Sequence, residues 1–472
     1  MPATNAGELA KGATKGFDDS RLEELINRVR SQVASGTGAA TAAAKGTNAR
    51  SAKSEFLPLE PASFKEAQLS DSFIESLILK FLLARGDATG REVADQIKLP
   101  FKLLDELLRQ MKTDQTIVYR GAAAAGDYQY QLTDMGRERA RRMSDHCTYF
   151  GSAPVAIKDY IASVAAQSLM HQHPTPDDLD RAFGDLLLNK SMLRRLGPAI
   201  NSGRGLFLYG SPGNGKSSIA ERVMRAFDEF IWIPRALVVD GEIMRLFDPS
   251  NHEVAPVQRT AGLLDNQNID MRWIRVRRPT VVVGGELTMS ALEVTLNTST
   301  GISEAPLQLK SNCGSLVIDD FGRQRMSIVE LLNRWIVPLE KRIDFLNMPN
   351  GKKIEVPFDQ LIIFSTNLEP RDLVDDAFLR RIPYKIDVAD PNEEDFRHLF
   401  RMMAAKLGFD HNESAVDYLI ERHYRPKKRP FRCCQPRDLL MQIHSYCKYM
   451  KLTPELTPEY FDIAVETYFG IM

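Results

Sequence analysis

Glycine, lysine and serine residues between Gly210 and Ser217 have the types and spacing of a loop that surrounds phosphate groups. The stretch Gly-Ser-Pro-Gly-Asn-Gly-Lys-Ser fits G-x-x-x-x-G-K-[ST] at every fixed position. Glycines allow successive backbone N–H groups to turn inward around an anion. The motif predicts a nucleotide-binding loop made of Gly210, Ser211, Pro212, Gly213, Asn214, Gly215, Lys216, Ser217 and Ser218.

The side chains at the end of this loop have distinct chemical tasks. Lys216 would reach the β- and γ-phosphates of a nucleotide, and the Ser217 hydroxyl would bind Mg²⁺. The apolar run 206–209 before the loop predicts a buried strand. We expect a helix to begin at Lys216, because the positive end of a helix dipole favours phosphate.

Two further apolar runs end in polar residues that suit the same site. Residues 315–320 predict a buried parallel strand that ends in two carboxylates. The carboxyl ends of parallel strands meet at the edge of a sheet where ligands bind. We therefore expect Asp319 to hold Mg²⁺ through water and Asp320 to orient the attacking water. Residues 358–368 predict a third buried strand, and the Asn367 amide that follows it would hydrogen-bond the γ-phosphate or the water.

Three arginines could supply positive charge from further away. Arg380 and Arg381 follow a short predicted helix near Asp376. A guanidinium offered to the γ-phosphate of a neighbouring molecule would stabilise the transition state. Arg437 is predicted to lie exposed in the first turn of a helix that begins at Pro436.

The order of these motifs closely resembles that of the AAA+ ATPases over about residues 190–472. The resemblance implies an α/β fold, a doubly wound parallel sheet of the P-loop NTPase kind with a C-terminal helical lid. It implies Asn367 as sensor 1, Arg381 or Arg380 as an arginine finger that acts on the next subunit, and Arg437 as sensor 2. It also implies ATP and Mg²⁺ as ligands and a homo-oligomeric ring, with a hexamer favoured.

One departure from the family concerns the acidic strand. The family usually has Asp-Glu there, and this chain has Asp319 followed by Asp320. Because Asp is one methylene shorter than Glu and reaches less far toward a water, slow hydrolysis is an open alternative.

Three predicted hairpins indicate which subgroups of the AAA+ ATPases this chain resembles. Hairpins are predicted at 271–283 and 292–309, and a third at 342–356 has the Asn-Gly pair of a tight turn. This layout looks like the MoxR-type and related AAA+ subgroups, which remodel or activate protein complexes. The first hairpin could contact a substrate or single-stranded nucleic acid at a pore, or pack on a neighbouring subunit. Its candidate contact residues are Arg272, Trp273, Arg275, Arg277 and Arg278.

The N-terminal part has a different pattern, in which three predicted helices are followed by two strands. This order resembles a winged helix. The third helix carries Lys102, Arg109 and Lys112 beside two carboxylates, so duplex DNA and a protein are both possible partners. The predicted domains are 1–64 (disordered, low complexity), 65–148 (winged-helix-like), 149–190 (helical connector), 191–390 (ATPase core) and 391–472 (helical lid).

The composition excludes several classes of protein. The chain has 61 basic and 62 acidic residues, so no overall field favours nucleic acid or an anionic membrane. Its five cysteines lack the spacing of a zinc site or a disulfide scaffold. No apolar run approaches the ~18 residues of a membrane span. We therefore expect a cytoplasmic protein, with the basic stretch 425–432 as a solvated loop.

These features together predict an ATP hydrolase whose ring remodels or activates an unidentified protein partner. Two alternatives stay open. The first is an ATP-dependent DNA-binding regulator or remodeller that acts through residues 65–148. The second is an ATP-gated assembly switch with little hydrolysis, which Asp320 motivates. A short amphipathic stretch at 21–33 is either a docking helix or a nascent helix without a role.

Overall fold

The structure, a computed structural model, describes residues 56–257, 268–374 and 376–470. Its N-terminal part contains the predicted three helices and strand pair, with one more strand and one more helix. These are α1 (Asp71–Arg85), β1 (Asp87–Thr89), α2 (Gly90–Ile97), α3 (Phe101–Thr113), β2 (Ile117–Ala122), β3 (Tyr128–Leu132) and α4 (Asp134–His146). The helices bury Ile78, Leu104 and Leu108 in one cluster with Tyr130 of β3. The strands form an antiparallel sheet of order β1-β3-β2.

Residues 56–64 belong by composition to the low-complexity segment, yet they pack on the rest of the chain. The Phe56 ring meets Trp273 edge-on with centroids 5.6 Å apart. The Glu60 N–H donates to the Asn268 carbonyl at 2.8 Å. The packed chain therefore begins before the predicted boundary at residue 64. The predicted helix at 21–33 lies outside the described residues.

A run of short elements leads from the N-terminal part to the phosphate loop. It consists of β4 (Val155–Ala156), α5 (Ile157–Ala166), α6 (Pro176–Ala182), α7 (Lys190–Asn201), β5 (Leu206–Tyr209) and α8 (Lys216–Arg222). The sequence predicts one helix over 177–196, and the structure divides it into α6 and α7. The Asn189 side chain accepts from the Met192 N–H at 2.8 Å and caps a new helix there, which is the position that Asn favours.

The chain after α8 is rich in strands, and one prediction fails there. The strands are β6 (Phe230–Pro234), β7 (Ala236–Val239), β8 (Glu242–Arg245), β9 (Trp273–Arg277) and β10 (Thr280–Val283). The expected hairpin over 271–283 is wrong, because β9 pairs antiparallel with β6 while β10 joins the central sheet. The run Thr-Val-Val-Val has the continuous apolar character of a buried parallel strand, and this outweighs local pairing.

The other two predicted hairpins are confirmed. In order, the elements are β11 (Thr295–Asn297), β12 (Ile302–Glu304), α9 (Leu307–Lys310), β13 (Ser315–Ile318), α10 (Ile328–Lys341), β14 (Ile343–Asn347), β15 (Lys353–Pro357) and β16 (Leu361–Ser365). β11 pairs with β12 and β14 with β15, both antiparallel. The β11–β12 pair also extends a second sheet of order β11-β12-β8-β7-β4.

The central sheet has five strands, and every neighbouring pair is parallel. After α11 (Pro370–Leu373) and α12 (Asp376–Leu379), β17 (Tyr384–Asp387) completes the spatial order β10-β13-β16-β5-β17. This confirms the predicted α/β fold with a parallel sheet. Because β16 lies between β5 and β13, the segments that follow these three strands lie side by side at the carboxyl edge.

The C-terminal part is helical and has its own apolar core. Its elements are α13 (Glu393–Leu407), α14 (Glu413–Leu419), a π-helical turn (Ile420–Tyr424), α15 (Gln435–Met450) and α16 (Pro458–Phe469). Phe396, Phe400 and Phe461 are fully buried among them. The sequence pattern predicts helices over 393–407 and 458–469, and α13 and α16 have these bounds. Among the helices that the structure describes, none is long and apolar enough to cross a membrane.

Candidate functional site

The phosphate loop joins β5 to α8, and two of its glycines allow neighbouring segments to approach closely. Gly210 and Gly213 have φ angles of 125° and 85°, a region that disfavours residues with a Cβ. A Cβ on Gly210 would lie 2.8 Å from the Val388 carbonyl oxygen. A Cβ on Gly213 would lie 2.5 Å from Cys434 Sγ. The loop is therefore packed against the end of β17 and against the start of α15.

Lys216 begins α8, as predicted, and its ammonium group is held inside the loop. Nζ donates to the carbonyls of Gly210 and Ser211, both at 3.0 Å, and to Asn367 Oδ1 at 2.7 Å. The residue is only 6% exposed. Burial lowers the pKa of Lys216, and the charge of Arg432 acts in the same direction, while the two aspartates at the end of β13 oppose both. An ammonium group whose partners are neutral oxygens forms stronger hydrogen bonds when it exchanges them for charged phosphate oxygens.

Ser217 and Asp319 meet beside this lysine. Ser217 Oγ donates to Asp319 Oδ2 at 2.7 Å. A hydroxyl and a carboxylate are hard oxygen ligands of the kind that Mg²⁺ prefers, with its remaining positions filled by phosphates and water. The described residues hold no cluster of three or more His, Cys, Asp or Glu side chains that could bind a metal. The Ser217–Asp319 pair offers two oxygen ligands that fit a magnesium ion.

Asn367 connects the lysine to the second carboxylate. Its Nδ2 donates to Asp320 Oδ1 at 3.2 Å, while its Oδ1 accepts from Lys216. Asp320 has a φ of 48°, and its N–H donates to Asp319 Oδ1 at 3.1 Å. The structure thus brings together the five residues that the sequence places after three separate strands: Lys216, Ser217, Asp319, Asp320 and Asn367.

Arg380 and Arg381 lie apart from this cluster. They follow α12 and precede β17, which runs parallel to β5, so they lie at the amino edge of the sheet. Arg381 Nε donates to Glu340 Oε1 at 2.8 Å, and Arg380 is exposed. Both line a cavity together with Arg204 and Arg342. A role on phosphate would therefore need a nucleotide that is bound to another molecule.

Arg437 lies in the first turn of α15, as predicted, and its side chain is 60% exposed. Its Nε donates to Asp438 Oδ1 at 3.0 Å. Arg432 lies beside the loop at Gly213 and forms an ion pair with the Asp390 carboxylate. The expectation that residues 425–432 form a solvated loop is therefore wrong for Arg432.

Asn214 explains why Asp390 and Arg432 lie at the site. Its Nδ2 donates to Asp390 Oδ1 at 2.6 Å, and its Oδ1 accepts from the Cys433 N–H at 3.3 Å. The sequence assigns Asn214 to the loop and gives no sign of these contacts. The sequence shows only that an acidic residue, Asp390, precedes α13 and that a basic residue, Arg432, follows α14. Such an arrangement is common on protein surfaces and does not predict a contact.

Three of the five residues proposed for a pore, Arg272, Trp273 and Arg278, are buried. Arg272 forms a buried ion pair with Asp270 at 2.7 Å. Arg278 donates to the carbonyls of Asp228, Gln167 and Cys313, and burial lowers its pKa. Because these two arginines and Trp273 are buried within the chain, the pore expectation is wrong for them.

The remaining two members of this group are less buried. Arg275 lies over the Phe230 ring at 4.3 Å from its centroid. Arg277 pairs with Glu229 and Glu253, both at 3.0 Å. Both side chains thus have partners within the chain, and a contact with a substrate stays a prediction for them.

Comparison with known proteins gives one sequence match and a set of structural similarities. A family model described as "Domain of unknown function (DUF8689)" matches residues 392–467, from α13 to most of α16. No curated protein matches the chain in sequence. A Thermotoga maritima RuvB mutant is similar at a TM-score of 0.36 and 10% identity, over 60% of this chain and 71% of that chain. The Thermotoga maritima RuvB Holliday junction branch migration motor is similar at 0.33 and 13% identity, over 59% and 67%. Because these scores are low, a functional conclusion has to come from the site itself.

Proposed function

We propose that this chain hydrolyses ATP with Mg²⁺ as an AAA+ ATPase, and that it works as a ring which remodels or activates a protein partner. The observation that carries the proposal is the hydrogen-bonded cluster at the carboxyl edge of β5, β13 and β16. It places an ammonium group, a hydroxyl, two carboxylates and an amide within one network. These are the groups that phosphoryl transfer to water requires.

Each group has a role in this proposal. Lys216 and the backbone N–H groups of the loop would bind the phosphates, and Ser217 with Asp319 would hold Mg²⁺. The metal, when bound, would neutralise charge on the phosphate oxygens. Asp320 would accept a proton from the attacking water, and Asn367 would fix the position of that carboxylate. Their existing hydrogen bond supports this division of work.

The ring is proposed because of the arginines at the amino edge of the sheet. Arg381, or Arg380 beside it, would neutralise charge on a nucleotide bound to the next subunit, as the resemblance to AAA+ proteins implies. Arg437 would couple the bound nucleotide to the position of the C-terminal helices, which would act as a lid. A hexamer is the ring size that the resemblance favours.

The test is the ATPase rate per subunit, measured against protein concentration with and without Mg²⁺. We expect a rate that rises with concentration, disappears without Mg²⁺ and is lost in Lys216→Ala. Lys352→Ala, a lysine that pairs with Asp240 on the surface, is the control and should keep the rate. A wild type without turnover at every concentration would contradict the proposed hydrolase.

An ATP-gated assembly switch is the second candidate, and Asp320 favours it. Asp is shorter than the Glu usual in the family, and its carboxylate here is already hydrogen-bonded to Asn367. This candidate predicts that ATP changes the oligomeric state, seen by light scattering, without turnover. Brisk hydrolysis would exclude it.

Duplex DNA binding has less support. In the N-terminal part, basic side chains that could bind phosphates pair with carboxylates, among them Arg109 with Asp105 and Arg120 with Asp87. A titration with duplex DNA at several salt concentrations would detect such binding, since each phosphate contact adds to the salt dependence.

A further inference from the structure

Asp390 is the point where the phosphate loop meets the C-terminal part of the chain. Its Oδ1 accepts a hydrogen bond from Asn214 Nδ2 at 2.6 Å. The same oxygen forms the ion pair with the Arg432 guanidinium. One carboxylate oxygen therefore contacts both Asn214 of the loop and Arg432 of the segment before α15.

The backbone of that segment is held on the loop independently of the Arg432 side chain. The Cys433 N–H donates to Asn214 Oδ1 at 3.3 Å, and the Cys434 N–H donates to the Gly213 carbonyl at 2.9 Å. Asn214 is only 4% exposed. The guanidinium could therefore leave Asp390 while its backbone stays in place beside the loop.

The charges around the loop favour a movement of the Arg432 guanidinium from Asp390 to a bound phosphate. Arg432 is near enough to Lys216 to contribute to the lowered pKa of that lysine. The two cations disfavour each other, and Asp390 offsets the charge of Arg432. A nucleoside triphosphate would bring several negative charges to the loop, and a guanidinium binds phosphate oxygens strongly.

Arg432 is also better placed than Arg437, the arginine that the resemblance to AAA+ proteins implies as a contact. Its side chain is 21% exposed and lies against the loop through Asp390. The Arg437 side chain is 60% exposed and pairs with its neighbour in sequence, Asp438. A movement of Arg432 from a carboxylate to a phosphate would keep its charge compensated.

We infer that Arg432 is a phosphate-binding residue that exchanges Asp390 for an oxygen of the bound nucleotide. Asp390 keeps its hydrogen bond to Asn214, so the loop retains its shape when the exchange takes place. This inference rests on the proposed function, because it requires ATP at the loop, and it adds a residue to the proposed contact from Arg437.

The experiment is a calorimetric titration of the full chain with Mg²⁺ and ATP. Arg432→Ala should weaken ATP binding at least tenfold, and Arg432→Lys should restore part of the loss. Asp390→Asn removes the resting partner of Arg432 but leaves an oxygen for Asn214, so it should tighten ATP binding severalfold. Arg425→Ala is the matched control, since Arg425 belongs to the same stretch and pairs with Glu393 and Glu421 instead of Asp390.

The opposite effects on ATP affinity that we expect for Arg432→Ala and Asp390→Asn distinguish this role from a structural one. If the Arg432–Asp390 pair only holds the C-terminal part in place, both variants should weaken ATP binding and lower the melting temperature without nucleotide. That result would overturn the inference, and so would an Arg432→Ala affinity within twofold of the wild type. A wild type that binds no ATP would overturn the proposed function as well.

Discussion

A single amide, that of Asn367, connects the cation of the phosphate loop with the second carboxylate. It accepts from Lys216 at 2.7 Å and donates to Asp320 at 3.2 Å. The amide can do both because it offers an acceptor and a donor on one planar group, which neither a carboxylate nor an ammonium group does. Asn367 therefore sets the distance between the group that binds phosphate and the group that would accept the proton of water.

Asn367→Ala should lower kcat for ATP more than it weakens ATP binding. Removing one positioned hydrogen-bonding group from a transition state costs about 10²–10³ in rate in comparable sites, while the loop would still bind phosphates. Steady-state kinetics with ATP would give kcat, and a separate binding titration would give the Kd for ATP. Asn350→Ala, at the turn of the β14–β15 hairpin, is the control. Equal losses in rate and affinity would mean that Asn367 acts on binding alone.

The sequence predicts the residues of the site that local patterns indicate, but not the contacts between segments that are far apart along the chain. The sequence predicts Lys216, Ser217, Asp319 and Asn367, because motif spacing and strand ends are local and parallel strands align their carboxyl edges. The partners of Arg432 could not be predicted. Asp390 lies 42 residues from it along the chain, and the contact depends on how the C-terminal helices pack on the loop.

At the scale of elements, the β11–β12 hairpin reaches from the second sheet to the N-terminal part. The Thr300 carbonyl at its turn accepts from the Thr148 N–H at 2.8 Å. The Lys80 ammonium group, buried in α1, donates to the Cys147 carbonyl at 3.0 Å beside it. The sequence predicts this hairpin but not its contact, because nothing in its pattern indicates where the turn packs. The hairpin therefore anchors the N-terminal part to the second sheet.

Gly301→Ala should loosen that anchor. Gly301 has a φ of 65°, and a Cβ there would lie 2.1 Å from the His146 carbonyl oxygen. Gly351→Ala is a matched control, since its φ is 81° at a hairpin turn and a Cβ would meet nothing within 4 Å. Both variants carry a backbone cost of about 1–2 kcal/mol, because a residue with a Cβ disfavours the left-handed region, but only Gly301→Ala adds a clash. Hydrogen exchange should rise in α4 for Gly301→Ala alone, and equal exchange in both variants would refute the anchor.

At the scale of the whole molecule, the proposed ring would combine groups from the two edges of the central sheet in one site. The carboxyl edge holds the phosphate loop with its carboxylates, and the amino edge holds Arg380 and Arg381. A head-to-tail arrangement of identical subunits brings opposite faces of neighbours together and closes into a ring when the rotation allows it. One subunit of such a ring would be incomplete without the next.

This arrangement predicts that two inactive variants restore each other. Asp320→Asn should remove the proton acceptor, and Arg381→Ala should remove the charge offered to the neighbour, so each variant alone should hydrolyse ATP slowly. In an equal mixture, a site of an Arg381→Ala subunit is complete wherever its neighbour is an Asp320→Asn subunit. Random mixing should return about a quarter of the wild-type rate per subunit, because each of the two conditions is met half of the time in a head-to-tail ring. Arg381 also pairs with Glu340 in its own subunit, so light scattering must show that the variant still assembles. If the mixture stays as slow as its components while it assembles normally, Arg381 acts within its own subunit, and the same experiment with Arg380→Ala would decide between the two arginines.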